Sequence, residues 1–170
     1  MPFSQLILDR YSVRAFGPAP VSAEQKAAIL EAGRVAPTAC NYQPQKIRVF
    51  ETPEDLAKLD ACSPCRYGAP LAFLVCYDNA VCWHGQPGPA DIGSGQVDAS
   101  IVTTHMMLQA ADLGLGSIWI GMFDTEKLRE NFNIPENIVP VALLPVGTPA
   151  EGSEPFAMHF QRKELSEILV

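Results

Sequence analysis

The sequence predicts a layered α/β fold of the α+β kind, with helices covering a central sheet. Helical and strand-like patterns alternate along the 170 residues, which is the signature of stacked layers. Two runs, Leu71 to Tyr77 and Val97 to Leu113, are apolar on all sides, as expected of elements buried between layers or in a subunit contact. Apolar types make up 48% of the chain, enough for a substantial core. The length favours one domain over residues 1–170, and there is no repeat, charged tail or low-complexity linker. Charged residues are 18% of the chain, below the usual ~25%, which points to surface hidden against another subunit.

The elements follow in order. Residues 3–9 have a helical pattern ending at Asp9-Arg10, and Tyr11 to Pro20 is a loop. Ser22 and Gln25 have capping-box spacing and open a helix over 22–35 that Pro37 stops. Lys46 to Phe50 is a short strand. Thr52-Pro53-Glu54-Asp55 combines an N-cap hydroxyl, proline at the first position and acids in the first turn, so a helix starts there. Pro70 precedes the buried strand Leu71 to Tyr77. Residues 79–95, rich in glycine and proline, form a loop of the kind that often borders a binding site. Gly114 and Gly116 end the apolar helix, Ser117 to Met122 is a second buried strand, and Asp124 caps a helix to Phe132. Ile138 to Val146 is the last strand. The tail after residue 150 has too little apolar content to fold alone and is expected to pack on a partner subunit.

Charge excludes several functions. A net charge of −7 argues against nucleic acid and anionic membrane surfaces, both of which require a basic face. A phosphate-bearing ligand would need a local cluster of cations against this background. The opening MPFSQLILDRYS lacks the basic and apolar regions of a signal peptide, and no run approaches the ~20 apolar residues of a membrane span. Five cysteines, an odd number, fit reduced thiols, and a cytoplasmic location is expected.

Three segments carry chemistry. In Arg10-Tyr11-Ser12-Val13-Arg14 an extended backbone points residues 10, 12 and 14 the same way, so two guanidiniums and a hydroxyl can receive an anion. Read alone, the segment reads more readily as a solvated basic turn, because short charged patterns are common. Ala36-Pro37-Thr38-Ala39-Cys40-Asn41-Tyr42-Gln43-Pro44 is a stiffened loop offering amide and hydroxyl groups, or an ordinary polar turn. Gly114-Leu115-Gly116-Ser117-Ile118-Trp119-Ile120-Gly121-Met122-Phe123-Asp124 places a glycine after a buried strand, where the backbone can approach a flat ligand; a helix C-cap followed by a core strand reads the same way.

Taken together and in this order, the segments resemble the nitroreductase family. That family has an Arg-x-Ser-x-Arg/Lys box, an Ala-Pro-Ser-x-x-Asn-x-Gln-Pro loop, an apolar helix ending in Gly-Leu-Gly, and a Trp-Ile-Gly-x-Phe-like strand end. A basic residue near the C-terminus follows a strand end similar to Pro145-Val146-Gly147. The resemblance covers nearly the whole chain. It implies a three-layer fold with a mixed central sheet, an intertwined homodimer with an exchanged C-terminal tail, and FMN at the subunit interface. Arg10 would bind the phosphate with help from Ser12, Arg162 and Lys163, and Arg14 would meet the pyrimidine edge of the isoalloxazine. Pro37, Thr38 and Asn41 of the other subunit would line the ring, with Gln43 near. Ile120 and Gly121 would border it, the Gly121 N–H facing N5. NAD(P)H would reduce the flavin, which would then reduce a small acceptor such as a nitroaromatic or quinone. No side chain is required as nucleophile or base. The chain departs from the pattern at Ala39, where a second hydroxyl is frequent, at Gln45, where Trp is frequent, and at Gly121, where some members carry Glu.

Rival readings concern the cysteines and the loop. Cys62-Ser63-Pro64-Cys65 has redox-motif spacing and, with Cys82 and His84, offers four soft ligands, but the spacing matches no standard zinc pattern, and no metal is expected. Trp83, His84 and Phe123 are candidates for substrate contact; a loop histidine and a core phenylalanine are the bland alternatives. A non-catalytic FMN-binding sensor or flavin store is the alternative function.

Overall fold

The structure is a computed structural model that describes residues 2–85 and 93–170. Its helices are α1 (Phe3–Asp9), α2 (Ala23–Arg34), α3 (Pro53–Asp60), α4 (Ser94–Asp112), α5 (Thr125–Phe132) and α6 (Leu165–Ile168). Its strands are β1 (Gln45–Phe50), β2 (Leu71–Asp78), β3 (Gly116–Ser117) and β4 (Ile138–Gly147). The caps read from the sequence are in place. Ser22 and Gln25 exchange both bonds of a capping box, Thr52 Oγ1 accepts from the Asp55 N–H at 3.1 Å, and Asp124 Oδ1 accepts from the Lys127 N–H at 3.1 Å. The glycine-rich loop is described as far as Gly85 and again from Gly93; its Pro87, Gly88 and Pro89 lie outside the described residues.

The sheet order is β1-β2-β4-β3, and every named pair is antiparallel. Helix α4 returns the chain along the sheet, so β2 and β3 run in the same direction, as a helical crossover requires. Strand β4 then inserts between them, antiparallel to both. The parallel component lies at the edge, where Ser12 bridges Ser117 and the Val13 N–H donates to the Ser117 carbonyl at 3.1 Å. The strand expected over 117–122 is shorter than its pattern suggests. It ends at Ser117 and touches the sheet once more, where Ile120 and Leu143 exchange both main-chain bonds at 2.9 Å. Pro140 has no N–H to give to the ladder, and the register between β2 and β4 shifts beside it, at Val75/Cys76.

Alternation along β2 builds the three layers. Leu71, Phe73 and Val75 face α2 and α4 in a core with Ile29, Val102, Met106 and Leu144. Ala72, Leu74 and Cys76 face the opposite layer, with Leu59, Leu128, Phe132 and Leu143. Gly116 lets the arm approach the sheet: a Cβ there would lie 2.6 Å from the Cγ2 of the buried Val13. The arm is fastened further by Gly17 N–H to the Thr148 carbonyl at 2.8 Å and Ala150 N–H to the Ala15 carbonyl at 2.9 Å.

Candidate functional site

The first cluster forms around the arm. Val13 is buried beneath β3, which turns Ser12 and Arg14 to the other side. Arg10 is half-buried and donates through Nη1 to the Met107 sulfur at 3.6 Å. Burial, and then the positive field of Arg162, hold the Arg10 guanidinium below its ordinary value. The two ends of the polypeptide therefore bring two cations within electrostatic reach of each other. Among the described residues, Arg10, Arg14, Arg162 and Lys163 have no carboxylate partner, although the chain carries 19 acidic residues. Repelling cations left unpaired in an acidic protein are suited to an anionic ligand. Beside Arg10 lies a shallow cavity of about 190 Å³ lined by Leu6, Val13, Gly114, Ser117 and Pro149. That is below the ~300 Å³ at which ligand pockets usually begin, so one chain does not enclose a nucleotide here.

The tail lies along this arm. The Tyr11 hydroxyl donates to the Ser153 carbonyl at 3.0 Å, and Tyr11 meets His159 edge to face, centroids 6.3 Å apart. The Arg14 guanidinium sits 4.5 Å from the centroid of the Phe156 ring. Arg162 is turned back on its own segment, with Nη1 donating to the Gln161 carbonyl at 2.8 Å. Lys163 is exposed, as is the remainder of the tail to Val170.

Gly121 is exposed, and among the described residues its N–H meets no acceptor. Ile120, expected beside it at the ligand, is turned inward instead. It is 8% exposed, packs in the lower core and uses both main-chain groups on Leu143, whereas Gly121 after it is exposed. Phe123 also packs partly against that core. The next segment is braced by the Cys62–Cys65 turn: the Ser63 hydroxyl donates to the Met122 carbonyl at 2.7 Å and the Asp124 N–H to the Cys62 carbonyl at 2.9 Å.

The second cluster is the 36–44 loop. Asn41 and Gln43 hold left-handed backbone, φ 57° and 51°, and so does Cys40 at 49°. This curls the loop so that Thr38 Oγ1 accepts from the Gln43 N–H at 3.0 Å. Pro37, Asn41 and Gln43 are exposed, and Thr38 is half-buried. Asp98, a residue the sequence reading passed over, anchors the loop from α4. It is 2% exposed, its Oδ1 accepts from the Ala39 N–H at 2.8 Å, and its Oδ2 is buried without a partner among the described residues. Burial raises the Asp98 carboxyl above the ordinary carboxylate range, and the Ala39 N–H opposes this in part. A carboxyl raised in the folded state favours the protonated form. Its contribution to stability is complete below the unfolded value of about 4 and is lost as pH rises through the folded value. Wild type is therefore expected to lose stability relative to Asp98→Asn as pH rises, by up to about 1.4 kcal/mol per pH unit while the group titrates. Urea melts of both proteins between pH 4 and 9 check this; parallel curves would show that folding does not raise the Asp98 carboxyl.

The two clusters attach to different turns of α4. Asp98, which holds the loop, lies toward its start, and Met107, which Arg10 touches, lies nine residues further on, roughly 14 Å along the helix at 1.5 Å each. Trp83 and His84 belong to the first end, since the Ser94 hydroxyl, on the first residue of α4, donates to the Trp83 carbonyl. His84 Nε2 lies 2.7 Å from the Asn79 carbonyl, so that nitrogen carries the proton. It cannot also take one from Cys82, whose sulfur is 3.5 Å away. The five cysteines are free, and burial pushes the Cys76 thiol up to about 12. Among the described residues no group of three or more His, Cys, Asp or Glu side chains could hold a metal ion, and no helix is long and apolar enough to cross a membrane.

The fold is an α+β sandwich whose edge arm carries arginines without a carboxylate partner among the described residues, and whose central helix anchors a polar loop nearer its start. Comparison with known proteins gives the family. The chain belongs to the nitroreductase family, whose model matches residues 7–63 and 60–148. It is 32% identical over 160 residues to a candidate NADH dehydrogenase/NAD(P)H nitroreductase of Methanothermobacter thermautotrophicus, covering 89% of this chain and 79% of that protein. A nitroreductase family protein from Clostridium difficile 630 superposes with a TM-score of 0.90 at 38% identity, covering 100% of this chain and 98% of that one. A candidate nitroreductase solved in complex with FMN, from Desulfovibrio desulfuricans, superposes with a TM-score of 0.85 at 26% identity, covering 100% and 96%.

Proposed function

We propose that the protein is an FMN-dependent oxidoreductase that passes electrons from NAD(P)H to a small organic acceptor, such as a nitroaromatic or quinone, and that it works as a homodimer. The carrying observation is the division of the site: the cationic cluster and the polar loop attach nine residues apart along α4 and the cavity beside Arg10 is shallow, an arrangement that a second copy, setting one cluster against the other, would complete. The relative from Desulfovibrio desulfuricans solved with FMN supports that choice of ligand. The outer face of α4 supports the dimer. A broad groove there is lined by Val97, Ile101, His105 and Leu108, and Phe3, Leu8 and Val35 are exposed. An exposed apolar face of this kind is suited to a contact between copies. The last residues of the tail, with Leu165, Ile168 and Leu169 exposed, are suited to pack on the partner.

In this reading Arg10 and Arg162 receive the FMN phosphate, with Ser12 and Lys163 beside them. Arg14 faces the pyrimidine edge of the ring and favours negative charge there. The exposed N–H of Gly121 donates toward N5. Pro37, Thr38, Asn41 and Gln43 of the second copy complete the wall, and Trp83 and His84 arrive with them, toward the acceptor. When bound, FMN supplies the redox chemistry, so the chain contributes position and electrostatics rather than a nucleophile or base.

The test is the absorbance spectrum of the purified protein, followed by anaerobic titration with NADH and NADPH. A visible flavin band that a reduced nicotinamide bleaches, with steady nicotinamide consumption once a quinone or nitroaromatic is added, is the expected result. A protein that FMN does not saturate would overturn the reading, and a flavoprotein that never turns over would overturn the enzymatic part of it.

A further inference from the structure

The face of α4 that enters the core carries Asp98, Ala99, Val102, Met106 and Ala110, the spacing of an inward helical stripe. A carboxyl in such a stripe costs the fold free energy unless it is fully bonded. Thr103, on the same buried face, is satisfied within its own helix, its hydroxyl donating to the Ala99 carbonyl at 2.7 Å. Asp98 instead reaches out of the helix. Its Oδ1 takes the Ala39 N–H at 2.8 Å, and its Oδ2 stays buried without a partner among the described residues. An apolar side chain would cost the fold less, so packing does not account for the carboxyl.

What Asp98 holds is a strained segment. The ends of the 36–44 loop are fixed, because Ala36 is buried in the core against α2 and α4 and the Pro44 carbonyl accepts from the Asp78 N–H at 2.8 Å. Between them Cys40, Asn41 and Gln43 hold left-handed backbone, which is costly for residues other than glycine. Bonds within the loop shape the turn: the Asn41 N–H donates to the Thr38 carbonyl at 3.0 Å and the Tyr42 N–H to the Ala39 carbonyl at 3.1 Å. Among the described residues, the Ala39–Asp98 bond is the one hydrogen bond that ties residues 37–43 to the rest of the chain.

We propose that Asp98 is a positioning residue for the flavin ring: through the Ala39 N–H it holds Thr38, Asn41 and Gln43 in the shape that lines the isoalloxazine. The inference rests on the function proposed above. It acts on the ring and not on the phosphate, which the arginines of the arm receive.

The experiment compares wild type, Asp98→Leu and Asp98→Asn by calorimetric titration of the full chain with FMN and with riboflavin, the same ring without the phosphate. Asp98→Leu removes the acceptor and is expected to weaken both flavins by the same factor, about tenfold, the value of one good hydrogen bond. Asp98→Asn keeps an acceptor for the Ala39 N–H and should return both affinities to within about twofold of wild type. Leucine that binds flavin as tightly as wild type, asparagine that loses as much as leucine, or a loss confined to FMN would each overturn the inference while leaving the flavin site standing. Wild type that binds neither flavin would overturn the underlying function and this inference together. Should Asp98→Leu fail to fold, Asp98→Ala takes its place and is held to the same outcomes.

Discussion

Replacing Arg10 and Arg162 together by alanine is expected to lower FMN affinity by roughly 10²- to 10⁴-fold. A hydrogen bond to a charged group is worth about 1.5–3 kcal/mol, so each arginine accounts for roughly one to two orders of magnitude. The loss should appear in the ligand and not in the fold. Neither guanidinium pairs with a carboxylate among the described residues, and the field of Arg162 already disfavours the charge on Arg10. Removing both relieves a repulsion, and the FMN-free protein should melt no lower than wild type. The stabilisation that saturating FMN adds should shrink, because ligand linkage follows the dissociation constant. Calorimetric titration with thermal melts in the presence and absence of FMN checks both halves. An unfolded variant, or unchanged affinity, would contradict the roles given to these residues.

The second large effect is on stability. Phe73 stands in the middle of β2, fully buried against the α2 and α4 layer, between the register pairs Val49 and Leu144. Phe73→Ala is expected to cost about 3–5 kcal/mol through lost burial and the cavity left behind, a large share of the 5–15 kcal/mol typical of a domain. Urea unfolding should show a lower midpoint at an unchanged slope. Phe123→Ala, at a half-buried position, should cost clearly less. Equal costs at the two sites would mean that β2 is not the centre of the packing.

What the sequence discloses is mostly local. Ser22, Thr52 and Asp124 announce their helices because a cap depends on residues two or three positions away, and the structure forms all three. The layers were legible because β2 is apolar on both faces. Strand direction was not, since β4 inserts between β2 and β3 through pairings that no local pattern records. The run from Ser117 to Met122 reads as one strand by hydrophobicity, yet hydrogen bonding interrupts it after Ser117 and returns only at Ile120. In the site, the arm and the 36–44 loop were visible as clusters of cations and amides. Asp98 was not. A carboxylate in an apolar helix is the only sequence signal for it. Most hidden of all was that two residues of the same helix, Asp98 and Met107, each hold one of the two clusters.

The claim on which these readings depend is that Arg10 and Arg162 are placed for a phosphate. The most direct measurement compares FMN with riboflavin, the same ring system without the phosphate, by calorimetric titration of the flavin-free protein at low salt. FMN should bind at least about a hundredfold more tightly, since two charge-assisted contacts are lost with the phosphate, and added salt should narrow the gap. Equal affinity for the two flavins would contradict it.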